Sequence, residues 1–323
     1  MPDYAVMCAV KDEAPYIFEH YAWYKALGFS RFIYAHNDCT DQTPQVLSTL
    51  AGFDPRVRTF HNLVEEGESP QHSAYLQARK NILPDLPGWY VLVIDIDEFL
   101  LLKAHEAIGD LMRAYDFPEA MSFNWRVFGS NGHDDFSDDL VINRFTACSL
   151  ETFKMNRQRK TMWRNTALCE DNTSHLARFR KGIRDTVRWI SPADPPAGVS
   201  VPPEFRVTPA THIKTSNYGP FLGQAQLNHY VLKSRAEYEL KSRRGRGSQK
   251  RGGPRKGTRH TAEFFTEWDR NDLVDRSASR HAGAVSSDVA ALKRRFLVEH
   301  GCPVAFGGIP ARDDSPGAVH RLP

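Results

Sequence analysis

The sequence predicts an α/β fold: a mostly parallel, twisted sheet flanked by helices, with a C-terminal helical extension. Three observations lead there. Short apolar runs alternate with helix-spaced stretches through the first hundred residues, a β-α-β-α-β-α-β rhythm. The runs are apolar at consecutive positions, as in strands buried on both faces. Hydrophobic content of 41% and charged content of 25% over 323 residues support a sizeable core.

Each element has a local cause. DYAVMCAV (3–10) reads as the first strand. Asp12 is placed to cap a helix with Pro15 in its first turn; Ile17, Tyr21, Tyr24 and Leu27 recur at helical spacing and Gly28 ends it. RFIYA (31–35) is a second strand, and after the polar turn HNDCTDQT, Thr43 and Pro44 open a helix that Gly52 closes. VRTF (57–60) is a third strand; Ser69 and Pro70 begin a helix running to about Leu83. A fourth strand (89–94) and a further one within MSFNWRVFGSNGHDD (121–135) follow. From about 150 to 225 the pattern weakens, and Pro192, Pro195, Pro196, Pro202 and Pro203 mark an irregular connection. AQLNHYVLK (225–233) restores a strand, Ser234 with Glu237 makes a capping box for a helix at Arg235, and a last helix covers 286–300. The Gly-, Pro- and Asp-rich tail from Gly307 is expected to be disordered. The resulting division is 1–235, a basic loop and helical extension over 236–306, and the tail 307–323.

Composition narrows the function classes. No run approaches the ~18 apolar residues of a membrane span, and MPDYAVMCAV lacks the features of a signal peptide, so a cytoplasmic protein is expected. Five scattered cysteines without a Cys-x-x-Cys pair argue for reduced thiols rather than a thiolate zinc site. The net charge is +3, but Lys241 to Arg259 holds nine Lys or Arg and no acid, so without that segment the chain carries −6.

GWYVLVIDIDEFLLL (88–102) is the most informative stretch, because Asp95, Asp97 and Glu98 follow a strongly apolar run. In open α/β sheets ligands bind beyond the carboxyl ends of the strands, which sets Asp12 and Glu13, Asn37 and Asp38, and Asp95 and Asp97 along one rim. Two carboxylates at a strand end can converge on one hard cation, Mg²⁺ or Mn²⁺, whose shell phosphate oxygens complete. Without a cation they repel, and one pKa rises. A lone Asp-x-Asp more often caps a helix or pairs with arginine; the acids at two other strand ends shift the balance to a metal–diphosphate site.

KDEAPYIFEHYAWYKALGF, RFIYAHNDCTDQT and GWYVLVIDIDEFL together resemble the GT-A glycosyltransferases, and more narrowly the bacterial family-2-like group related to glycosyltransferase family 92. NWRVFGSNGH, LNHYVLKSRAEYELKSRRGRG and EFFTEWDRNDLVDRSASR resemble that group's later blocks. The resemblance implies a GT-A (Rossmann-like) fold and transfer of a sugar from a nucleotide-diphosphate donor, UDP- or GDP-linked, to a saccharide or lipid-linked acceptor in cell-surface or exopolysaccharide synthesis. It implies base and ribose contacts from Glu13 and Asp38, with Cys39 where Ser is commoner. It also implies nucleotide or sugar contacts from Arg79 and Asn81, an Asp-x-Asp pair in Asp95 and Asp97, and His229 as a further ligand of Mn²⁺ or Mg²⁺. Peripheral contact with the inner face of a membrane is compatible with such an acceptor. A general base is sought at Asp134 and Asp135, just past the Gly-rich loop, then at Asp171.

The basic segment KSRRGRGSQKRGGPRKGTR admits three readings: a solvated loop, a lid over the donor diphosphate, or a nucleic-acid-binding arm. It contains no aromatic residue to stack on bases and the remaining body is acidic, so no nucleic acid is expected. Sugar-phosphate nucleotidyl transfer ranks lower still, since MCAVKDEAPY lacks the glycines of that reaction's N-terminal signature.

Overall fold

The computed structural model describes residues 2–183, 186–192, 204–206, 219–245, 247–253 and 261–307. The strands are β1 (Tyr4–Val10), β2 (Arg31–His36), β3 (Val57–His61), β4 (Tyr90–Val93), β5 (Glu98–Leu102), β6 (Ala120–Val127) and β7 (Ala147–Cys148). They continue with β8 (Arg159–Arg164), β9 (Cys169–Asn172), β10 (Ala177–Phe179), β11 (Trp189–Pro192), β12 (Glu204–Arg206), β13 (Ala225–His229) and β14 (Leu273–Val274). The principal sheet runs β12-β11-β6-β8-β4-β1-β2-β3, and β13 bridges β6 to β5. β1 pairs parallel with β2 and β4, and β2 with β3. β8 is inserted antiparallel between β4 and β6, so its start lies at the edge where their ends lie.

Alternation along the central strands sorts side chains onto two faces. Val6, Cys8, Phe32, Tyr34 and Leu92 join the larger core, whereas Ala5, Met7, Ile33, Val91 and Val93 join the smaller one. The larger core is covered by α1 (Ala14–Ala26), α2 (Thr43–Phe53) and the C-terminal helix Ala282–His300. The smaller is covered by α3 (Pro70–Asn81) through Ala74, Tyr75 and Ala78. The C-terminal helix buries Val285, Val289, Leu292 and Phe296, with the Phe296 ring 6.3 Å from that of Phe18. Among the described residues no helix is long and apolar enough to cross a membrane.

Two helix starts differ from expectation. Asp12 does not cap α1: it takes a positive φ of 51°, and its carboxylate accepts the Thr40 N–H at 2.6 Å. Asp41 instead accepts the Ala14 N–H at 3.0 Å and the Thr43 N–H at 2.8 Å, while the Thr43 hydroxyl accepts the Glu13 N–H at 2.8 Å. The loop after β2 thus caps both α1 and α2, an arrangement that local spacing does not reveal. Gly52 lies inside α2, which runs one residue further to Phe53. The strand expected over 225–233 stops at His229, and the last helix begins at Ala282, earlier than the expected 286. Ser69 caps α3 as expected, and the Ser234–Glu237 capping box forms in full. Most of the proline-rich connection, Arg246, residues 254–260 of the basic segment and the tail from 308 lie outside the described residues.

Candidate functional site

A cleft of about 590 Å³ opens along the carboxyl ends of β1, β2, β4 and β13, and Glu13, Asp38, Asp95, Asp97 and His229 all line it. The rim follows from topology. β4 ends at Val93, and the turn from Ile94 to Asp97 carries the two aspartates before β5 leaves antiparallel to β13. That pairing sets His229 opposite Glu98, and the Tyr230 N–H donates to the Asp97 carbonyl at 2.8 Å. His229 Nε2 therefore stands 3.8 Å from Asp97 Oδ1.

Both aspartates are held by cations. Lys160, fully buried near the start of β8, donates to Asp95 Oδ2 at 2.8 Å and lies 3.3 Å from Glu98 Oε2. Gln71 on α3 donates to Asp95 Oδ1 at 2.8 Å. Lys241 donates to Asp97 Oδ2 and, at 2.9 Å, to the Val231 carbonyl. Burial raises the Asp97 carboxyl, but Lys241, His229 and Lys233 outweigh it and hold that carboxyl far below the usual range. At Asp95 burial also raises and Lys160 lowers, for a net fall. Glu98 goes the other way: burial, reinforced by Asp95 and Asp97, lifts it above the usual range despite Lys160. The two rim aspartates are therefore ionised at neutral pH, and Glu98 holds its proton more tightly than an ordinary glutamate.

The outer acids have partners from the basic segment. Arg244 donates to the Glu13 carboxylate and to the carbonyls of Lys11 (2.7 Å) and Asp12 (2.9 Å). Arg251 donates to Asp38 and to the Val64 carbonyl at 2.6 Å. Burial raises the Asp38 carboxyl, yet hydrogen bonds from Asn37 and Arg251 bring it below its ordinary value.

The other anticipated residues lie elsewhere. Arg79 braces β9, donating to the Cys169 carbonyl at 3.0 Å and to Asn172 at 3.2 Å, and Asn81 is exposed at the end of α3. Asp134 and Asp135 are exposed and do not line the cleft; Asp134 lies 3.5 Å from Arg235. Asp171 pairs with Arg178 at 3.4 Å on the β9–β10 ribbon. Sequence reasoning missed Lys160, Gln71, Lys241, Arg244 and Arg251 as partners of the rim acids. Part of the signal was present: an acidic body beside a basic segment implies that the two meet.

Asp95, Asp97 and His229 carry donors of the kind a divalent cation takes, but their ligand atoms do not gather within 4.8 Å of one another. Asp97 Oδ1 and His229 Nε2 face one another, and Asp95, whose side chain is 31% exposed, opens onto the same cleft. Among the described residues, Asp12, Cys39 and Asp41, between the β1 and β2 loops, are the potential ligands whose atoms do lie that close. Their carboxylates already accept backbone N–H groups, Asp12 from Thr40 and Asp41 from Ala14 and Thr43.

No protein-family model matches the chain, and no curated protein does. Among solved structures it is similar to HddC from Yersinia pseudotuberculosis, with 10% identity over 66% of this chain and 98% of that one and a TM-score of 0.34. It is also similar to the mannosyltransferase PcManGT from Pyrobaculum calidifontis, solved with GDP-Man and Mn²⁺, with 14% identity over 94% and 78% of the two chains and a TM-score of 0.36. A Bacillus anthracis chain described as a glucose-1-phosphate thymidylyltransferase, in complex with a sucrose, has 9% identity over 51% and 72% and a TM-score of 0.30. In architecture the chain is a Rossmann-like α/β domain of the GT-A type, with a curled, mostly parallel sheet, flanking helices and a C-terminal helix.

Proposed function

We propose that this chain is a glycosyltransferase that moves a sugar from a nucleotide-diphosphate donor to a hydroxyl acceptor, with Mn²⁺ or Mg²⁺, in the making of a cell-surface or exported polysaccharide. One observation carries the reading: acids from the ends of three neighbouring strands, Glu13, Asp38, Asp95 and Asp97, meet Lys241, Arg244 and Arg251 in a single cleft. Such alternating charge suits a ligand that is itself part cation and part polyanion, as a metal–nucleoside diphosphate complex is. Glu13 and Asp38, at the β1 and β2 ends, are assigned to the base and ribose.

In the reaction the acceptor oxygen forms a bond to the anomeric carbon as the bond from that carbon to the diphosphate oxygen breaks. The acceptor proton passes to a base and the nucleoside diphosphate leaves. A bound divalent ion would supply charge neutralisation for the leaving diphosphate. Asp97, Asp95 and His229 are the residues assigned to hold it. Lys160 keeps Asp95 ionised and oriented from beneath the rim, and basic side chains across the cleft meet the phosphate oxygens.

The reading is tested by thermal-shift measurements with UDP and GDP, with and without Mn²⁺. A nucleotide near 100-fold above its dissociation constant adds about 2.7 kcal/mol, hence a rise on the order of 5 °C. The gain is expected only when Mn²⁺ is present. Asp97→Asn is expected to remove it while leaving the ligand-free chain folded; an undiminished gain in that variant overturns the metal assignment.

A further inference from the structure

The described part of the basic segment is neither a free loop nor an extended arm. Lys241 and Arg244 occupy the last turn of helix Arg235–Arg244, whose start is fixed by the Ser234–Glu237 capping box. Beyond it Gly247 and Ser248 line the cleft, and residues 247–253 lie along the loop before α3. Gln71 N–H donates to the Gly247 carbonyl at 3.0 Å, Gly67 N–H to the Arg251 carbonyl at 3.1 Å, and Arg251 N–H to the Glu68 carbonyl at 2.8 Å. Along that path three cations meet three acids, Lys241 on Asp97, Arg244 on Glu13 and Arg251 on Asp38. These are the acids assigned above to metal, base and ribose.

Charge balance says what must happen when a ligand enters. A divalent ion alone at Asp97 would meet the Lys241 ammonium, with Arg244 near by, and like charges at such range repel strongly at reduced dielectric. A diphosphate alone would add negative charge beside acids whose cations are already committed. The two together are mutually compensating: the metal replaces Lys241 on Asp97, and the displaced cations find phosphate oxygens, for which arginine forks are well matched.

We propose that residues 241–245 and 247–253 form an exchangeable strap: in the ligand-free chain Lys241, Arg244 and Arg251 hold the places of metal and nucleotide, and they transfer to the diphosphate when both arrive. The strap makes metal and nucleoside diphosphate bind as one unit, and it adds Lys241, Arg244 and Arg251 to the site as diphosphate receptors. The inference rests on the reading of the cleft given above.

The test is Mn²⁺ binding to the full chain, followed by electron paramagnetic resonance, for the unaltered protein and for Lys241→Gln, Lys241→Arg and Asp97→Asn. Without nucleotide, Lys241→Gln is expected to bind Mn²⁺ at least tenfold more tightly than the unaltered protein. Lys241→Arg, which keeps the charge, should remain as weak as the unaltered protein, and Asp97→Asn should lose the site. Hydrogen exchange adds a readout that needs no activity. The amides of Gly67, Gln71 and Arg251 should exchange at altered rates when GDP or UDP is added with Mn²⁺ and at unaltered rates with either component alone. Equal or weaker Mn²⁺ binding by Lys241→Gln, with Asp97→Asn still abolishing it, overturns the strap and leaves the function standing. Absence of Mn²⁺ binding from every variant, with GDP or UDP present as well as without, overturns both.

Discussion

Lys160 shows how much one side chain decides. It is fully buried, yet it serves two carboxylates, Asp95 and Glu98. Burial lowers its own pKa, but the two acids more than reverse that, so it stays charged. Removing one partner of a buried charge set costs about 3–5 kcal/mol. Lys160→Met is therefore expected to lower unfolding free energy by about that amount in denaturant titrations, and to loosen Asp95 at the rim. A loss below about 1 kcal/mol, the scale of an exposed pair, would show that Lys160 does not neutralise these acids. The sequence displayed Asp95 and Asp97 openly, since carboxylates after an apolar strand stand out. Lys160 was hidden, because a lysine in RQRKTMW has no local mark of burial; only the antiparallel insertion of β8 carries it under the rim.

Helix starts show the same division between local and distant causes. Ser69 and the Ser234–Glu237 box were legible because donor and acceptor lie three residues apart. The bonds by which Asp41 and Thr43 hold the start of α1 span 27 and 30 residues, and no periodicity announces them. Glu19 is a further case: from within α1 its carboxylate accepts the N–H groups of Val141 and Ile142 at 2.8 and 3.1 Å, opening the short helix Val141–Arg144. Burial pushes its carboxyl up to about 7 in spite of these bonds. An acid whose folded pKa is raised stabilises the fold below its unfolded pKa, near 4.3, and that contribution fades as pH climbs to about 7. Glu19→Gln is expected to remove this fall. Relative to the variant, the unaltered protein should lose on the order of 3 kcal/mol between pH 5 and pH 8 in urea titrations. Parallel profiles for the two would count against it.

For the molecule as a whole, the fold class could be read from the first hundred residues because wholly apolar strands and helix-spaced stretches there alternate without interruption. The curl of the sheet could not. It depends on β13 joining β6 to β5 across more than a hundred residues of chain, and hydropathy does not encode which strands become neighbours. The cleft divides along the same line, its acids early and its cations late. Asp97 and Lys241 are 144 positions apart, Asp38 and Arg251 213, and Glu13 and Arg244 231. A ribosome therefore releases every rim carboxylate well before the ammonium and guanidinium groups that neutralise them. Until β8 and the Arg235–Arg244 helix emerge, the nascent chain holds a cluster of negative charge with no counterpart and a central sheet lacking its middle strand. A truncated polypeptide ending at residue 150 is accordingly expected to show no cooperative melting by circular dichroism, whereas the full chain melts in one transition. Synthesis of this protein thus becomes committed only late, and its amino-terminal half should depend on chaperones until then.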